Sequence, residues 1–200
     1  MAKRKAERWD RKRLLALGIP AVLIPGLAAA VLLGWNPTKL ETAKNYQAIK
    51  TIFPTSGVVT HVGDGDTFEL KNGVEVRMIG INAPDRGEVK WKEAGKELEL
   101  LVLHRKVYLE YDRYQDDKYG RVLAWVWEGC EKEPTFLPAD YMHLSGNESR
   151  KGLLENPEGC TQGNLINEEM VKKGFASSTR YKERGELKYE RRLQAIEVLK

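Results

Sequence analysis

Three short β-patterned runs are crowded so closely into residues 58–81 that the chain there has room only to double back on itself. The runs at 58–62 and 67–70 are separated by Gly63-Asp64-Gly65-Asp66, and Lys71-Asn72-Gly73 supplies an Asn-Gly hairpin signal before a third run at 75–81. The third run alternates, putting Glu75, Arg77, Ile79 and Ile81 on one parity. Residues 93–104 then carry Leu98, Leu101 and Val102 at helical spacing. Strand patterning resumes at 107–111 and 122–127. Two amphipathic stretches, 164–173 and 187–199, predict closing helices, with Gly174 set to stop the first. Three strands, a helix, two strands and closing helices predict an α+β domain: a five-stranded OB-fold barrel with three helices packed on it.

The rest of the chain does not read as part of that barrel. Residues 14–35 contain no charge, a length that crosses a bilayer as a single transmembrane helix. Residues 1–13 hold seven Lys or Arg against Glu7 and Asp10, while 36–44 are nearly neutral, so the positive-inside rule leaves the amino terminus in the cytoplasm. The sequence thus divides into a basic tail (1–13), a signal anchor (14–35), a tether (36–54) and an extracytoplasmic domain (55–200). The alternative is secretion after cleavage near Ala28-Ala29-Ala30; both readings export the domain. The tail also accounts for the basic character of the chain. Of a formal net charge of +4, it contributes +5, leaving the remainder at −1. The domain therefore has no broad basic surface for nucleic acid.

Cys130 and Cys160 lie near the ends of a long polar stretch, 128–163, that interrupts the barrel pattern. In an oxidising compartment such a pair could close a loop as a disulfide, and the sequence leaves open whether it does. A zinc site would need two further ligands, and His143 is the only histidine between them. Trp125 and Trp127 share a parity, which favours packing over base stacking, and His61 and His104 pair with nothing in the motifs.

The chemistry gathers at the strand ends. Asp64, Asp66, Asn82 and Asp85 offer hard oxygen ligands from flexible turns, the donor type a calcium ion takes. Arg77 shares a face with isoleucines and needs an anionic partner or a route to solvent. Arg121 follows the Lys118-Tyr119-Gly120 turn. Two guanidiniums beside a cation suit a phosphodiester, which they would hold by bidentate hydrogen bonds.

Taken in order, Asp64-Gly65-Asp66-Thr67, the Arg77 to Asp85 run, Asp117-Lys118-Tyr119-Gly120-Arg121 and the Asn167 to Ala176 run resemble the staphylococcal nuclease (thermonuclease) family. The resemblance implies a calcium-dependent endonuclease that cuts DNA and RNA with little sequence preference and leaves 3′-phosphate ends. Carried over by motif, Asp66, Asn82 and the carbonyl of Ala83 would hold Ca2+, with Asp64 close behind. Asp85 would activate water, Arg77 and Arg121 would clamp the scissile phosphate, and Lys118 and Tyr119 would meet a neighbouring phosphate or sugar. Nothing in the sequence identifies a protein partner, and a monomer is expected. Two positions depart from the family: Asn82 stands where Asp is common, and Asp85 where Glu is typical. They keep open an alternative, a catalytically weak or inactive OB-fold module that binds nucleic acid or protein while tethered to the membrane.

Overall fold

The structure, a computed structural model, describes residues 53–145, 152–180 and 185–198. The expected anchor at 14–35, the basic tail and most of the tether lie outside the described residues. Among the described residues no helix is long and apolar enough to cross a membrane.

Strands β1 (Ser56–Asp64), β2 (Thr67–Leu70) and β3 (Glu75–Met78) form an antiparallel meander, as the turn residues predict. A two-residue strand β4 (Ile81–Asn82) follows, then helix α1 (Trp91–Val102) and strands β5 (Lys106–Asp116) and β6 (Val122–Glu128). β1 pairs with β5, β5 with β6, and β6 runs parallel to β3, which closes five strands into a barrel. Val122 to Trp127 of β6 are all buried. Such an unbroken apolar run signals cover on both faces. Here the cover is the barrel interior on one side and, on the other, helix α3 (Ile166–Lys172) with the ring of Tyr189. A short helix α2 (Tyr141–Ser145), a strand β7 (Asn164–Leu165) on β6, a strand β8 (Ser177–Ser178) on β4 and helix α4 (Glu190–Val198) complete the described elements.

The structure corrects the third predicted strand. It is not continuous over 75–81: it breaks at Ile79-Gly80, and β4 turns away to pair with β8. Gly80 adopts φ 78°, and a Cβ there would stand 2.5 Å from the Trp125 ring. Only glycine fits both demands. The parity argument therefore fails past the break, because Met78, Ile79 and Ile81 are all buried. Asn167 holds the kink: its side-chain amide donates to the Ile79 carbonyl at 2.8 Å and its oxygen accepts the Val126 N–H at 2.9 Å. Helix α1 ends at Val102 rather than at residue 104, where His104 takes φ 62° in the turn into β5. A fourth helix, the short α2, was not expected.

The long stretch between β6 and β7 is anchored at several points. Cys130 and Cys160 form a disulfide, Thr135 bridges to Glu158, and Asn156 accepts from Arg192 at 2.8 Å. Trp125 and Trp127 are fully buried, in keeping with a packing role. The tether's last residues belong with the barrel: Phe53 meets Tyr111 edge-on, and the Tyr111 hydroxyl donates to the Pro54 carbonyl at 2.7 Å.

Candidate active site

The β1–β2 turn brings in the first two acids. Gly65 sits where a Cβ would lie 2.6 Å from that of Ala94 in α1 and 2.7 Å from that of Ala83. Only a hydrogen fits, and this close approach fixes Asp64 and Asp66 against the chain that follows β4. Asp66, 4% exposed, is closely partnered. One carboxylate oxygen, Oδ2, accepts the Ala83 N–H at 2.7 Å and pairs with Arg77 Nη1 at 2.6 Å; the other accepts from the Thr67 hydroxyl at 3.1 Å. Asp64 accepts the Asp66 N–H at 3.1 Å. Arg77 reaches from β3 to donate also to Asn82 Oδ1 at 3.0 Å and to the Met78 carbonyl at 3.2 Å. Asn82 and Ala83 are held from the other side by the β4–β8 pairing, which sets Asn82 opposite Ser177. Asp64, Asp66, Arg77, Asn82 and Ala83 are thus in one contiguous cluster.

Arg121 enters from the turn before β6. Its Nε and Nη2 grip Asp117 Oδ2 at 2.8 and 2.6 Å, and Asp117 Oδ1 caps the turn by accepting the N–H groups of Tyr119 and Arg121. The parallel β3–β6 register, Val76 beside Val122, brings Arg121 to the start of β3, next to Glu75. Asp64 and Glu75 both act electrostatically on it. Lys118 and Tyr119 are exposed on the same turn, with Lys118 Nζ 4.9 Å and Arg121 Cζ 5.2 Å from the Tyr119 ring. Asp85 follows on the exposed turn after β4, and its carboxylate makes no hydrogen bond or ion pair among the described residues. It and Asn82 are separated by two residues only.

The model of the family described as "Staphylococcal nuclease homologue" matches residues 75–198. The chain belongs to the staphylococcal nuclease homologue family. The match takes in Arg77, Asn82, Ala83, Asp85, Lys118, Tyr119 and Arg121, while Asp64 and Asp66 precede it. Individual relatives agree. The chain is 39% identical over 82 residues to a thermonuclease of Staphylococcus hyicus, covering 36% of this chain and 48% of that protein. A thermonuclease of Staphylococcus intermedius is 39% identical over 85 residues, covering 38% and 51%. A micrococcal nuclease of Shigella flexneri is 28% identical over 128 residues, covering 62% and 59%. The chain spans about half the length of the curated relatives it matches.

The electrostatics of this staphylococcal nuclease homologue bear on whether a metal fits. Burial pushes the Asp66 carboxyl up to about 6, against the opposing pull of Arg77 and the Ala83 N–H and with help from nearby Asp64. An ionised Asp66 is therefore short of positive charge even with Arg77 in contact. The surrounding donors are carboxylate, amide and carbonyl oxygens, which suit calcium or magnesium and not zinc. Among the described residues no three His, Cys, Asp or Glu side chains gather to hold a metal, so the set is sparse. The donor chemistry is that of a hard cation. For Asp117, partial burial works to raise the pKa, but the hydrogen bonds from the Arg121 side chain and from two backbone amides outweigh it, and the carboxyl falls below its usual range. Partial burial likewise opposes the charge on Arg121, and Asp117, Glu75 and Asp64 together raise its pKa.

Several residues that shape the site were not found from sequence. Asp117 is one of them; its spacing of four from Arg121 is the signal that the sequence offers. Thr67 acts through its one bond to Asp66, and Asn167 through one donated and one accepted bond, which no pattern exposes. Glu88, three residues after Asp85, accepts the Asp85 N–H at 2.8 Å.

Proposed function

We propose that this chain is an exported nuclease that hydrolyses phosphodiester bonds of DNA and RNA with calcium, leaving 3′-phosphate ends. The observation that carries the reading is that a buried carboxylate, Asp66, and an amide oxygen, that of Asn82, are both bonded to the Arg77 guanidinium, with Arg121 close enough to Asp64 to feel its charge. Family membership and the thermonuclease relatives support it. The Cys130–Cys160 disulfide supports export, which otherwise rests on the charge-free segment 14–35.

On this reading Asp66, Asn82 and the Ala83 carbonyl hold the ion, with Asp64 behind them. Calcium, when bound, supplies positive charge against the anionic phosphate. Asp85 orients a water and takes its proton as the oxygen attacks phosphorus. Arg77 exchanges Asp66 and Asn82 for phosphate oxygens, and its planar fork suits two of them at once. Arg121 binds the phosphate from the other side and meets the charge that grows on the departing 5′-oxygen. Lys118 and Tyr119, exposed on the Arg121 turn, meet the next phosphate or sugar.

The amide at Asn82 removes one anionic ligand, and the bond from Arg77 occupies its oxygen, so the ion is held weakly. The test is cleavage of single-stranded DNA by the full-length chain at rising calcium, followed by chelation. Cleavage that saturates only at high calcium, stops with chelator and leaves phosphatase-sensitive 3′ ends is expected. Equal cleavage with chelator would remove the metal from the reading. No cleavage under any condition would favour a binding module.

A further inference from the structure

The turn that carries Asp85 is closed by a ring of its own hydrogen bonds. The Glu88 N–H donates to the Asp85 carbonyl at 2.9 Å, and the Asp85 N–H donates to Glu88 Oε2 at 2.8 Å. Gly87, at φ 97°, supplies the left-handed step that lets the two residues face each other. Arg86 adds a brace, its Cζ 5.5 Å from the Trp91 ring at the start of α1. Glu88 lines the groove whose walls are Asn82, Ala83 and Pro84 on one side and Phe175 and Ser177 on the other. That groove opens beside Asn82 and Ala83, two of the groups proposed above to hold the ion. The Asp85 carboxylate has no side-chain or backbone partner of its own among the described residues. Its direction is therefore set by the backbone that carries it.

We propose that Glu88 is a positioning residue for phosphodiester hydrolysis: its carboxylate latches the Asp85 amide and thereby fixes the Asp85 side chain at the mouth of the Asn82–Ala83 groove, where the attacking water must lie. The inference rests on the nuclease reading above. Its physical basis is reach. Asp has one methylene less than Glu and one less torsion with which to find the water, so the precision falls to the turn. A misplacement of about 1 Å costs on the order of a hundredfold in rate. A carboxylate accepting a backbone N–H is a charge-assisted bond, strong enough to hold an exposed turn in one form. The reach of a Glu back to the N–H three residues before it is the geometry of a capping box.

The test uses the full-length chain, single-stranded DNA and calcium. Glu88→Ala should lower kcat roughly ten- to a hundredfold with KM nearly unchanged. Glu88→Gln, whose amide oxygen still accepts from Asp85, should restore most of the rate. In an Asp85→Asn background, Glu88→Ala should cost nothing further. Hydrogen exchange at the Asp85 amide should quicken in Glu88→Ala and slow again in Glu88→Gln. Two results overturn the proposal: Glu88→Ala turning over at the wild-type rate, or Glu88→Gln as slow as Glu88→Ala with the acid limb of the kcat profile gone, which would make Glu88 the proton acceptor itself. A wild-type chain that cleaves nothing is a different failure. It sinks the nuclease reading and with it any catalytic role for Glu88, while the exchange comparison still decides whether the latch exists.

Discussion

Lys188 and Arg77 are both cations paired with a carboxylate at the barrel wall, and they are built for opposite purposes. Lys188 is fully buried, and its ammonium donates to Glu110 at 3.2 Å and to the carbonyls of Tyr111 and Leu137 at 2.7 and 2.9 Å. Its three donors are all used. Glu110 is equally closed: its other oxygen accepts from Trp127 Nε1 at 3.0 Å and from the Tyr189 hydroxyl at 2.8 Å. Next to it Asp112 accepts from Trp125 Nε1 and from the Lys188 N–H. Arg77 is 17% exposed and spends its fork on Asp66 and Asn82, the two side chains proposed to hold the ion. A saturated pair with no solvent contact has no partner to exchange, so it fixes structure. A pair that reaches the surface can trade its carboxylate for a phosphate.

The comparison breaks first at Lys188. Lys188→Met leaves the Glu110 charge buried and two carbonyls without donors, and should cost about 3–5 kcal/mol. Adding Glu110→Gln removes the stranded charge and should recover a large part of that loss. Urea unfolding of the single and double variants measures both. If the single variant is as stable as wild type, the pair does not tie the C-terminal segment to the barrel.

The two site arginines should then separate from each other. Arg121→Ala removes a partner from Asp117, which water reaches, so stability should change by less than about 1 kcal/mol. Arg77→Ala strips the buried Asp66 of its counter-charge and should destabilise by about 2 kcal/mol, a loss limited because Asp66 can take up a proton instead. Both should lower kcat about a hundred- to a thousandfold. Thermal unfolding beside turnover resolves the difference. Equal stability in the two variants would mean that the Asp66–Arg77 contact carries no energy.

This asymmetry was hidden in the sequence, where both arginines read alike. What was legible there came from local signals: turns rich in Gly and Asn, short β-runs, and Gly174 ending α3 at φ 75°. These pointed to a five-stranded barrel and to the succession of its strands along the chain. The break at Gly80 was not legible, because its causes are the Trp125 ring and Asn167, which approach only in the folded chain. The burial of Glu110 and Lys188 was not legible for the same reason. Each reads as a surface charge, and they are buried because the stretch carrying Leu137 and the segment before α4 cover that part of β5. At the site, the motifs brought together Asp64, Asp66, Arg77, Asn82 and Ala83 as expected. They did not reveal that Arg77 would occupy the oxygens of Asp66 and Asn82, since hydrogen-bond choice among several nearby partners depends on distances that spacing does not encode.

The smallest effect sharpens the surface side of the comparison through pH. Asp117 titrates below its ordinary value because the Arg121 guanidinium and two amides favour its charged form more than partial burial opposes it. The carboxylate therefore holds fewer protons in the folded state than in the unfolded one. Its stabilising contribution is complete above the unfolded value near 4 and drains away as pH falls through the lower folded value. Asp117→Asn has no such proton to gain. The stability gap between wild type and Asp117→Asn should be constant from pH 7 to about 5 and narrow below 4. Thermal unfolding across that range tests it. A gap that stayed level to pH 3 would show that Asp117 grips Arg121 no more tightly in the fold than water does, and Arg121 would then be a freely swinging side chain rather than one held ready for a phosphate.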